Sequence, residues 1–222
     1  MIDIHSHILY GVDDGSKDLN MSLALLKEEM DDGVSLIYLT PHQNRNTLTG
    51  PLLKERYQSF LSEIKEKGID IDLRLGAEIY YYPGLKQDLL SGKALTMDES
   101  KYVLVEFSTR TETDITEIVY ELSAAGYIPI VAHIERYPYL KKQDYFDIKE
   151  AGALIQINSG SFKHFSSRGI IKYLLKNDLV DYVASDCHDP IKRKVDFSFL
   201  HTYIKKKHPS LYQRLIDMKK IG

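Results

Sequence analysis

Histidine and acidic residues in this 222-residue chain recur at one kind of position, directly after short apolar runs. His42 follows Ile37-Tyr-Leu-Thr-Pro41, for example, and Asp186 follows Tyr182-Val-Ala-Ser185. The residues that end or follow such runs are His5, His7, His42, Glu78, Glu106, His133, Asn158, Asp186 and His188. Burying three acids and five histidines together would be costly without compensating charge. Bound cations would supply that charge.

The sequence His5-Ser6-His7 places two imidazoles two residues apart. Residues two apart on a strand face the same way, so both rings can reach one metal ion. Asp3 falls on the same face of a regular strand, which predicts that it supports the two imidazoles from behind. A lone His-x-His is a weak signal, but within this set of residues it becomes a strong one.

The segment Gly11-Val-Asp-Asp-Gly15 follows shortly after His7. Glycine and aspartate are ordinary turn residues, which is one interpretation. The other places Asp13 or Asp14 at the metal site, as ligand or proton donor. Imidazole and carboxylate ligands without thiolate suit Mn, Fe or Zn. The predicted ligands, which are too many for one ion and indicate two or three, are His5, His7, Asp14, His42, Glu78, Glu106, His133, Asp186 and His188.

Three arginines each follow a predicted histidine ligand within five residues: Arg45, Arg136 and Arg193. Arginine suits bidentate contact with phosphate oxygens. We predict that Arg136 and Arg193 act in catalysis and bind substrate, with Arg45 as a weaker third candidate. The alternative is a solvated basic surface, notably for Arg193, whose two chain neighbours are both lysines.

Seven apolar runs must position these side chains, and their near-continuous apolar character is typical of strands covered on both faces. Amphipathic stretches lie between the runs, which predicts a parallel α/β fold. Seven or eight such units favour a closed barrel, in which the C-terminal strand ends converge on the active site. The predicted strands are Met1–His5, Ser35–Thr40, Ile71–Gly76, Tyr102–Phe107, Ile128–Ala132, Ala153–Ile157 and Val180–Ser185. The predicted helices include an apolar stripe from Leu19 to Met30, a helix capped by Asp114, and Pro51–Lys67, Asp144–Ala151, Arg168–Asn177, Phe197–Lys207 and Pro209–Lys219.

The composition is that of one globular domain spanning residues 1–222, with 43% hydrophobic and 27% charged residues. The net charge of −3 argues against broad binding to nucleic acid, which needs a basic face. No stretch approaches the ~18 apolar residues of a membrane span, and no targeting segment is visible. We therefore expect a cytoplasmic protein that does not insert into membranes.

Several motifs together closely resemble the CpsB/CapC/YwqE-type bacterial tyrosine phosphatases, a branch of the PHP (polymerase and histidinol phosphatase) superfamily. The resemblance spans about residues 1–195. It departs from the family at Gln43, where a second histidine is frequent, and at Ile134, where the family has proline. The motifs are Met1-Ile-Asp-Ile-His-Ser-His-Ile-Leu-Tyr-Gly-Val-Asp-Asp-Gly15, Thr40-Pro-His42, Gly76-Ala-Glu78, Val105-Glu-Phe107, Ala132-His-Ile-Glu-Arg-Tyr137, Gln156-Ile-Asn158 and Ala184-Ser-Asp-Cys-His188.

This resemblance implies a distorted TIM-like (β/α)7 barrel of the PHP type with a three-metal centre, usually described with Mn²⁺. It implies dephosphorylation of a bacterial tyrosine kinase that controls capsule or exopolysaccharide synthesis, and it makes a homo-oligomer plausible. The expected nucleophile is a hydroxide bridging the metals, with Asp14 or His188 as proton donor. Other hypotheses are a small-molecule phosphatase of the histidinol phosphate type, a nuclease, and a non-catalytic regulator that binds the kinase.

One motif points to a different chemistry. The segment from Cys187 to Arg193 matches C-x5-R, the signature of cysteine-dependent tyrosine phosphatases. Pro190 would remove one N–H from the phosphate-binding loop, and the loop contains no glycine. We expect Cys187, the only cysteine, to be a small buried side chain behind the site.

Overall fold

Parallel strands alternate with helices in the computed structural model, which describes residues 1–43 and 48–221. The strands are β1 (Ile2–Ser6), β2 (Leu36–Leu39), β3 (His42–Gln43), β4 (Asp72–Leu75), β5 (Glu78–Tyr80), β6 (Tyr102–Glu106), β7 (Ile128–Val131), β8 (Leu154–Asn158) and β9 (Tyr182–Ala184). The helices are α1 (Leu19–Asp31), α2 (Gly50–Glu66), α3 (Leu85–Leu90), α4 (Ile115–Ala124), α5 (Lys142–Glu150), α6 (Phe165–Lys176), α7 (Lys205–Lys207, preceded by a π-helical turn over Leu200–Ile204) and α8 (Pro209–Asp217).

The strands form two parallel sheets, and two strands run from one sheet into the other across a short break. One sheet has the order β1-β2-β4, and the other has the order β3-β5-β6-β7-β8-β9. Two residues separate β2 from β3, and two separate β4 from β5, so each pair is one strand with a break. A parallel bridge between Ser6 and Cys187 joins the first strand to the residues after the last. The result is a distorted barrel of seven strands, which confirms the predicted fold.

Apolar side chains cover both faces of this barrel wall. Inside, Ile4 of β1, Tyr38 of β2, Leu104 of β6 and Ile130 of β7 belong to one cluster. Outside, alternate residues of β2, β6 and β7 pack with the helices in a second, larger cluster. The strands therefore read as continuous apolar runs because neither face meets water.

Local signals in the sequence set most helix boundaries. The carboxylate of Asp18 accepts the Met21 N–H at 3.0 Å at the start of α1, and Asp114 accepts the Glu117 N–H at 3.0 Å at the start of α4. Gly33 follows α1 with φ +82°, a conformation that favours glycine. The six-residue α3 was not predicted, because it is too short to display a helical period. None of the helices described here is both long and apolar enough to cross a membrane.

A buried polar cluster holds β1 against the segment that follows β9. The Asp3 carboxylate accepts the Ser185 hydroxyl at 2.5 Å and the Ser185 N–H at 3.1 Å. Glu29 of α1 is also fully buried, and its Oε1 accepts the Cys187 thiol at 3.8 Å. Burial first, and then the negative charge of Asp3, hold the pKa of Glu29 well above its ordinary value. The cluster therefore favours a protonated Glu29 in the folded chain.

We expect Glu29→Gln to flatten the pH dependence of stability and to raise the free energy of unfolding at pH 8 relative to the parent chain. A raised carboxyl pKa stabilises the fold below the unfolded-state value, and this contribution is lost as the pH rises towards the folded-state value. A neutral amide of the same shape would remove that loss. Urea unfolding between pH 5 and 8 measures it, with Glu29→Ala as the control that leaves a cavity and costs roughly 2 kcal/mol or more. A parallel pH profile for Glu29→Gln and the parent chain would contradict this account.

Candidate metal centre

A β-bulge in β1 aims two histidines into the barrel mouth. The pairing of β1 with β2 shifts register between Asp3 and Ser6, so one extra residue lies on β1. Bulges re-aim side chains, and this one breaks the two-residue alternation. Asp3 consequently contacts Ser185, whereas the rings of His5 and His7 enter the site. Asp3 contacts neither imidazole ring, but its carboxylate accepts the His5 N–H at 3.3 Å, so it supports the backbone of His5 instead of the rings.

Hydrogen bonds orient both rings towards one point. The Nδ1 atom of His5 lies 3.2 Å from the side-chain oxygen of Gln156, and Nδ1 of His7 lies 2.7 Å from a carboxylate oxygen of Asp13. Because these oxygens accept, each Nδ1 carries a hydrogen, and in the neutral form of each ring Nε2 keeps a lone pair. The two Nε2 atoms are only 3.2 Å apart. Two lone pairs at that distance repel each other unless a cation or a proton lies beside them.

Glu78, the first residue of β5, lies at the centre of the cluster and is buried. Its Oε1 lies 2.8 Å from Nε2 of His133, and its Oε2 lies 2.9 Å from Nδ1 of His42. The same Oε2 lies 3.3 Å from Nε2 of His5 and 3.2 Å from Nε2 of His7. One carboxylate therefore contacts four imidazoles.

Two of the predicted ligands have left-handed backbone conformations. His133 has φ +30° directly after β7, and Asp186 has φ +52° after β9. Such conformations are costly for residues other than glycine and cluster at functional sites. The Asp186 Oδ1 atom lies 3.5 Å from Nε2 of both His5 and His7, and 3.6 Å from Nδ1 of His188. The strained turns thus bring both side chains back over the barrel mouth.

All the residues predicted as metal ligands meet in this cluster. Three groups each offer ligand atoms within 4.8 Å of one another. His133 belongs to none of the groups but contacts both Glu78 and Glu106, the latter at 3.5 Å. The groups are His7, Asp14, His42 and His188; His5, His7 and Asp186; and His42, Glu78 and Glu106.

The two aspartates of the Gly11–Gly15 loop have different positions. The Asp13 side chain is 2% exposed and accepts the His42 N–H at 2.9 Å as well as the His7 ring N–H. The Asp14 side chain is 66% exposed, and its Oδ1 lies 3.4 Å from Nε2 of His42 and 3.5 Å from Nε2 of His188. Asp13 therefore orients a histidine, while Asp14 lies at the open side of the cluster.

Two of the three predicted arginines lie at the rim. Arg193 donates to both carboxylate oxygens of Asp186, at 2.9 and 2.8 Å, and an Arg136 nitrogen lies 3.7 Å from the same group. Both arginine side chains are about two-fifths exposed, at 40% and 41%. They can therefore face a ligand in the open mouth. Arg45 lies outside the described residues.

The electrostatics of the cluster indicate a site built for cations. Burial alone would lower the pKa of His7, but the Asp13 and Glu78 carboxylates raise it to about 10. Burial would raise the pKa of Glu78, yet the surrounding histidines hold it well below its usual range. Ring nitrogens surround Glu78 Oε2 at 2.9 to 3.3 Å, but within the described part of the chain neither this atom nor His188 Nε2 makes a hydrogen bond of regular geometry. In this cluster, protons on the imidazoles balance the charge of the buried carboxylates. Divalent cations bound between the same groups would balance that charge in their place.

Gln156 and Asn158 of β8 organise the cluster from behind, a role that sequence reasoning missed for Gln156. The Gln156 oxygen also accepts the His133 N–H at 2.7 Å, and its amide donates to Asn158 at 2.8 Å. Asn158 in turn donates to Asp186 at 2.6 Å. The available signal was two amides spaced two apart in an otherwise apolar strand.

The structure places Cys187 away from this mouth. Its side chain is fully buried against Glu29, and burial raises the pKa of the thiol well above its usual range. The N–H groups of Ile191 and Lys192 are bound by the Asp189 carboxylate at 2.9 and 2.7 Å, so they do not form a phosphate cradle. The C-x5-R match is therefore not a thiolate site.

We expect Gln156→Leu to weaken metal binding about 10- to 100-fold, because the His5 and His133 supports are lost together. Competition with a chelating dye would measure the affinity for Mn²⁺, and circular dichroism would check the fold. Gln58→Leu, on the exposed surface of α2, is the matched control and should bind metal like the parent chain. An unchanged affinity for Gln156→Leu would remove this residue from the site.

Comparison with known proteins identifies the relatives of this chain. The sequence profile of the family described as capsular polysaccharide synthesis, CpsB/CapC, matches residues 1–220. The chain is 34% identical to tyrosine-protein phosphatase CpsB of Streptococcus pneumoniae, covering 94% of this chain and 91% of that protein. It is 30% identical to tyrosine-protein phosphatase YwqE of Bacillus subtilis, covering 85% and 78% respectively.

Solved structures agree with these sequence relationships. A chain from the crystal structures of B. subtilis YwqE and S. pneumoniae CpsB, described as metal-dependent tyrosine phosphatases, superposes with a TM-score of 0.90 at 28% identity, covering 98% of this chain and 92% of that one. The histidinol phosphate phosphatase of Lactococcus lactis shares only the fold, with a TM-score of 0.58 at 15% identity, covering 96% and 94%. The resemblance predicted from the sequence motifs is confirmed, and the chain belongs to the CpsB/CapC family.

Proposed function

We propose that this chain is a metal-dependent protein-tyrosine phosphatase of the CpsB/CapC family. The observation that carries the proposal is the placement of Arg136 and Arg193 around Asp186, at the open edge of a cluster of imidazoles and carboxylates. Guanidinium groups suit phosphate oxygens, and the donor set behind them suits divalent cations. The names of the CpsB and YwqE relatives describe the same activity.

The proposed ligands are the nine residues predicted from the sequence, and Mn²⁺ is the proposed metal, two or three ions per chain. When bound, the cations would neutralise the phosphate and provide a water nucleophile that ionises near neutral pH. Gln156 and Asp13 would keep the His5 and His7 lone pairs aimed at the site. Arg136 and Arg193 would bind the equatorial phosphate oxygens, where charge develops as the tyrosyl oxygen leaves.

Asp14 is the better of the two proposed proton donors. His188 is buried within the cluster, and its Nδ1 lies 3.1 Å from the Asp186 carbonyl oxygen. Asp14 is exposed at the mouth, where the tyrosyl oxygen would depart. Phenolate is a fair leaving group, with a parent pKa of about 10, so the proton helps but is not essential.

We expect Asp14→Asn to lower kcat about 100-fold on phenyl phosphate but much less on p-nitrophenyl phosphate. The nitrophenolate is stable without a proton, so a lost proton donor matters little for it. Steady-state rates on both substrates, with metal content measured for each protein, make the comparison. Equal losses on the two substrates, accompanied by lost metal, would instead make Asp14 a ligand alone.

The activity itself is tested by hydrolysis of a phosphotyrosyl peptide. We expect turnover that EDTA removes, Mn²⁺ restores and thiol alkylation leaves intact, because Cys187 is fully buried. Histidinol phosphate and single-stranded DNA in the same assay test the two alternative hypotheses. Hydrolysis of the first would favour a small-molecule phosphatase, and hydrolysis of the second would favour a nuclease. Loss on alkylation with indifference to EDTA would overturn the mechanism, and metal-loaded protein without turnover on any phosphoester would favour a binding-only role.

The proposed physiological substrate is a phosphorylated bacterial tyrosine kinase of the capsule or exopolysaccharide pathway. The family description, capsular polysaccharide synthesis, and the phosphatase names of the relatives support this assignment. The proposed location is the cytoplasm, with the chain acting as one domain. Self-association stays a prediction.

A further inference from the structure

A cavity of about 630 Å³ opens beside the candidate metal centre. Arg136, Asp186 and Arg193 form its inner end, so it is continuous with the place proposed for the phosphoryl group. From there it runs between the start of α6 and the loop formed by residues 189–194. The cavity is therefore positioned to receive whatever is attached to that phosphoryl group.

The lining of this cavity carries more positive charge than one phosphoryl group requires. Lys163, Lys192 and Lys194 line it in addition to the two arginines. The lining acids are already engaged, since Asp186 pairs with Arg193, and Asp196 pairs with Lys163. Lys194 also acts on Glu28: burial raises the pKa of that carboxyl, and the Val195 N–H and then the Lys194 charge oppose the rise. Lys192 acts in the same way on Asp189, but among the described residues neither Lys192 nor Lys194 forms an ion pair, whereas Lys163 does, so both are open to an incoming anion.

Both walls are held in place by local contacts. The Asp189 carboxylate accepts the N–H groups of residues 191 to 193, and the His188 N–H donates to the Arg193 carbonyl at 2.7 Å. On the opposite wall, Phe162 stacks on Phe199 with ring centroids 4.0 Å apart. These contacts form the cavity before any ligand arrives, which lowers the entropic cost of binding.

One strongly exposed apolar side chain lines this cavity, and a second lies between two lining residues in the chain. Phe165, at the first turn of α6, is 94% exposed, and its chain neighbours His164 and Ser166 line the cavity. Ile191, on the opposite wall, is 84% exposed. Burial of a large apolar side chain against a partner is favourable. Apolar rims around a cationic groove fit a peptide better than a free anion or a sugar phosphate.

We propose that this groove binds the peptide segment next to the phosphotyrosine and selects segments that carry a second anionic group. The proposal rests on the proposed phosphatase activity and adds the substrate class. Lys192 and Lys194 contact the second anion, which is either a carboxylate or another phosphoryl group. Phe165 and Ile191 cover apolar parts of the same segment.

The test compares phosphotyrosyl peptides of one length whose flanks are neutral, glutamate-rich or carry a second phosphotyrosine, with the anion placed on either side. We expect kcat/KM to be about tenfold higher for the best anionic peptide, mainly through KM, and the preference to shrink in high salt. Rates on p-nitrophenyl phosphate, which reaches only the metal centre, normalise each protein. A preference limited to the doubly phosphorylated peptide assigns the groove to a phosphoryl group, and a preference shared by glutamate assigns it to anions in general.

Two variants make the comparison specific to the groove. Lys192→Glu should abolish the preference for anionic peptides, and Phe165→Ser should lower kcat/KM on all peptides relative to p-nitrophenyl phosphate. Lys176→Glu, an exposed charge reversal at the far end of the same α6, should keep the preference. Anisotropy of labelled, metal-loaded complexes follows binding separately from turnover.

Equal kcat/KM and equal affinity for neutral and anionic peptides would overturn the groove, as would a preference that survives Lys192→Glu. Inhibition by a DNA oligonucleotide, with no preference among peptides, would overturn it in favour of nucleic acid. No hydrolysis of p-nitrophenyl phosphate by the metal-loaded chain would instead count against the phosphatase activity, so the two failures are distinguishable.

Discussion

The arrangement of the site depends on two lone pairs that point at each other. His5 and His7 each donate a ring N–H to a fixed oxygen, and when both rings are neutral this leaves two Nε2 lone pairs 3.2 Å apart. Such an arrangement is stable only with positive charge beside it. The remaining carboxylates and imidazoles of the cluster surround the same point, where positive charge is needed. Buried hydrogen-bond partners behind the two rings, Gln156 and Asp13, hold them in this orientation.

The barrel meets this requirement by bringing distant parts of the chain to one mouth. Parallel strands direct their C-terminal ends to the same edge, so ligands from the ends of six of the seven strands converge without long loops. Departures from regular strand geometry then orient the ligand side chains towards the centre. A bulge turns the β1 histidines inward, and left-handed residues after β7 and β9 turn His133 and Asp186 back over the centre.

Regular secondary structure could be predicted from the sequence, whereas the bulge and the loop geometry could not. The seven strands and the convergence of the polar residues follow from apolar runs and the residues at their ends, because periodicity records burial. The position of Asp3 could not be predicted, because a single bulge reverses the faces of a strand. Separating Asp13 from Asp14 required loop geometry, and Gln156 was hidden because its partners lie far away in the chain.

The closure of the barrel has a consequence for synthesis of the protein. His5 and Asp186, whose backbones are hydrogen-bonded at 2.9 Å, lie near opposite ends of the chain. During synthesis, His5 and His7 therefore leave the ribosome long before Asp186 and His188 have been made. Until residues 186–188 emerge, β1 lacks its neighbour on one side and the centre lacks two ligands. The complete ligand set therefore requires the chain through residue 188, and the long-range closure is expected to be a late, slow event in folding.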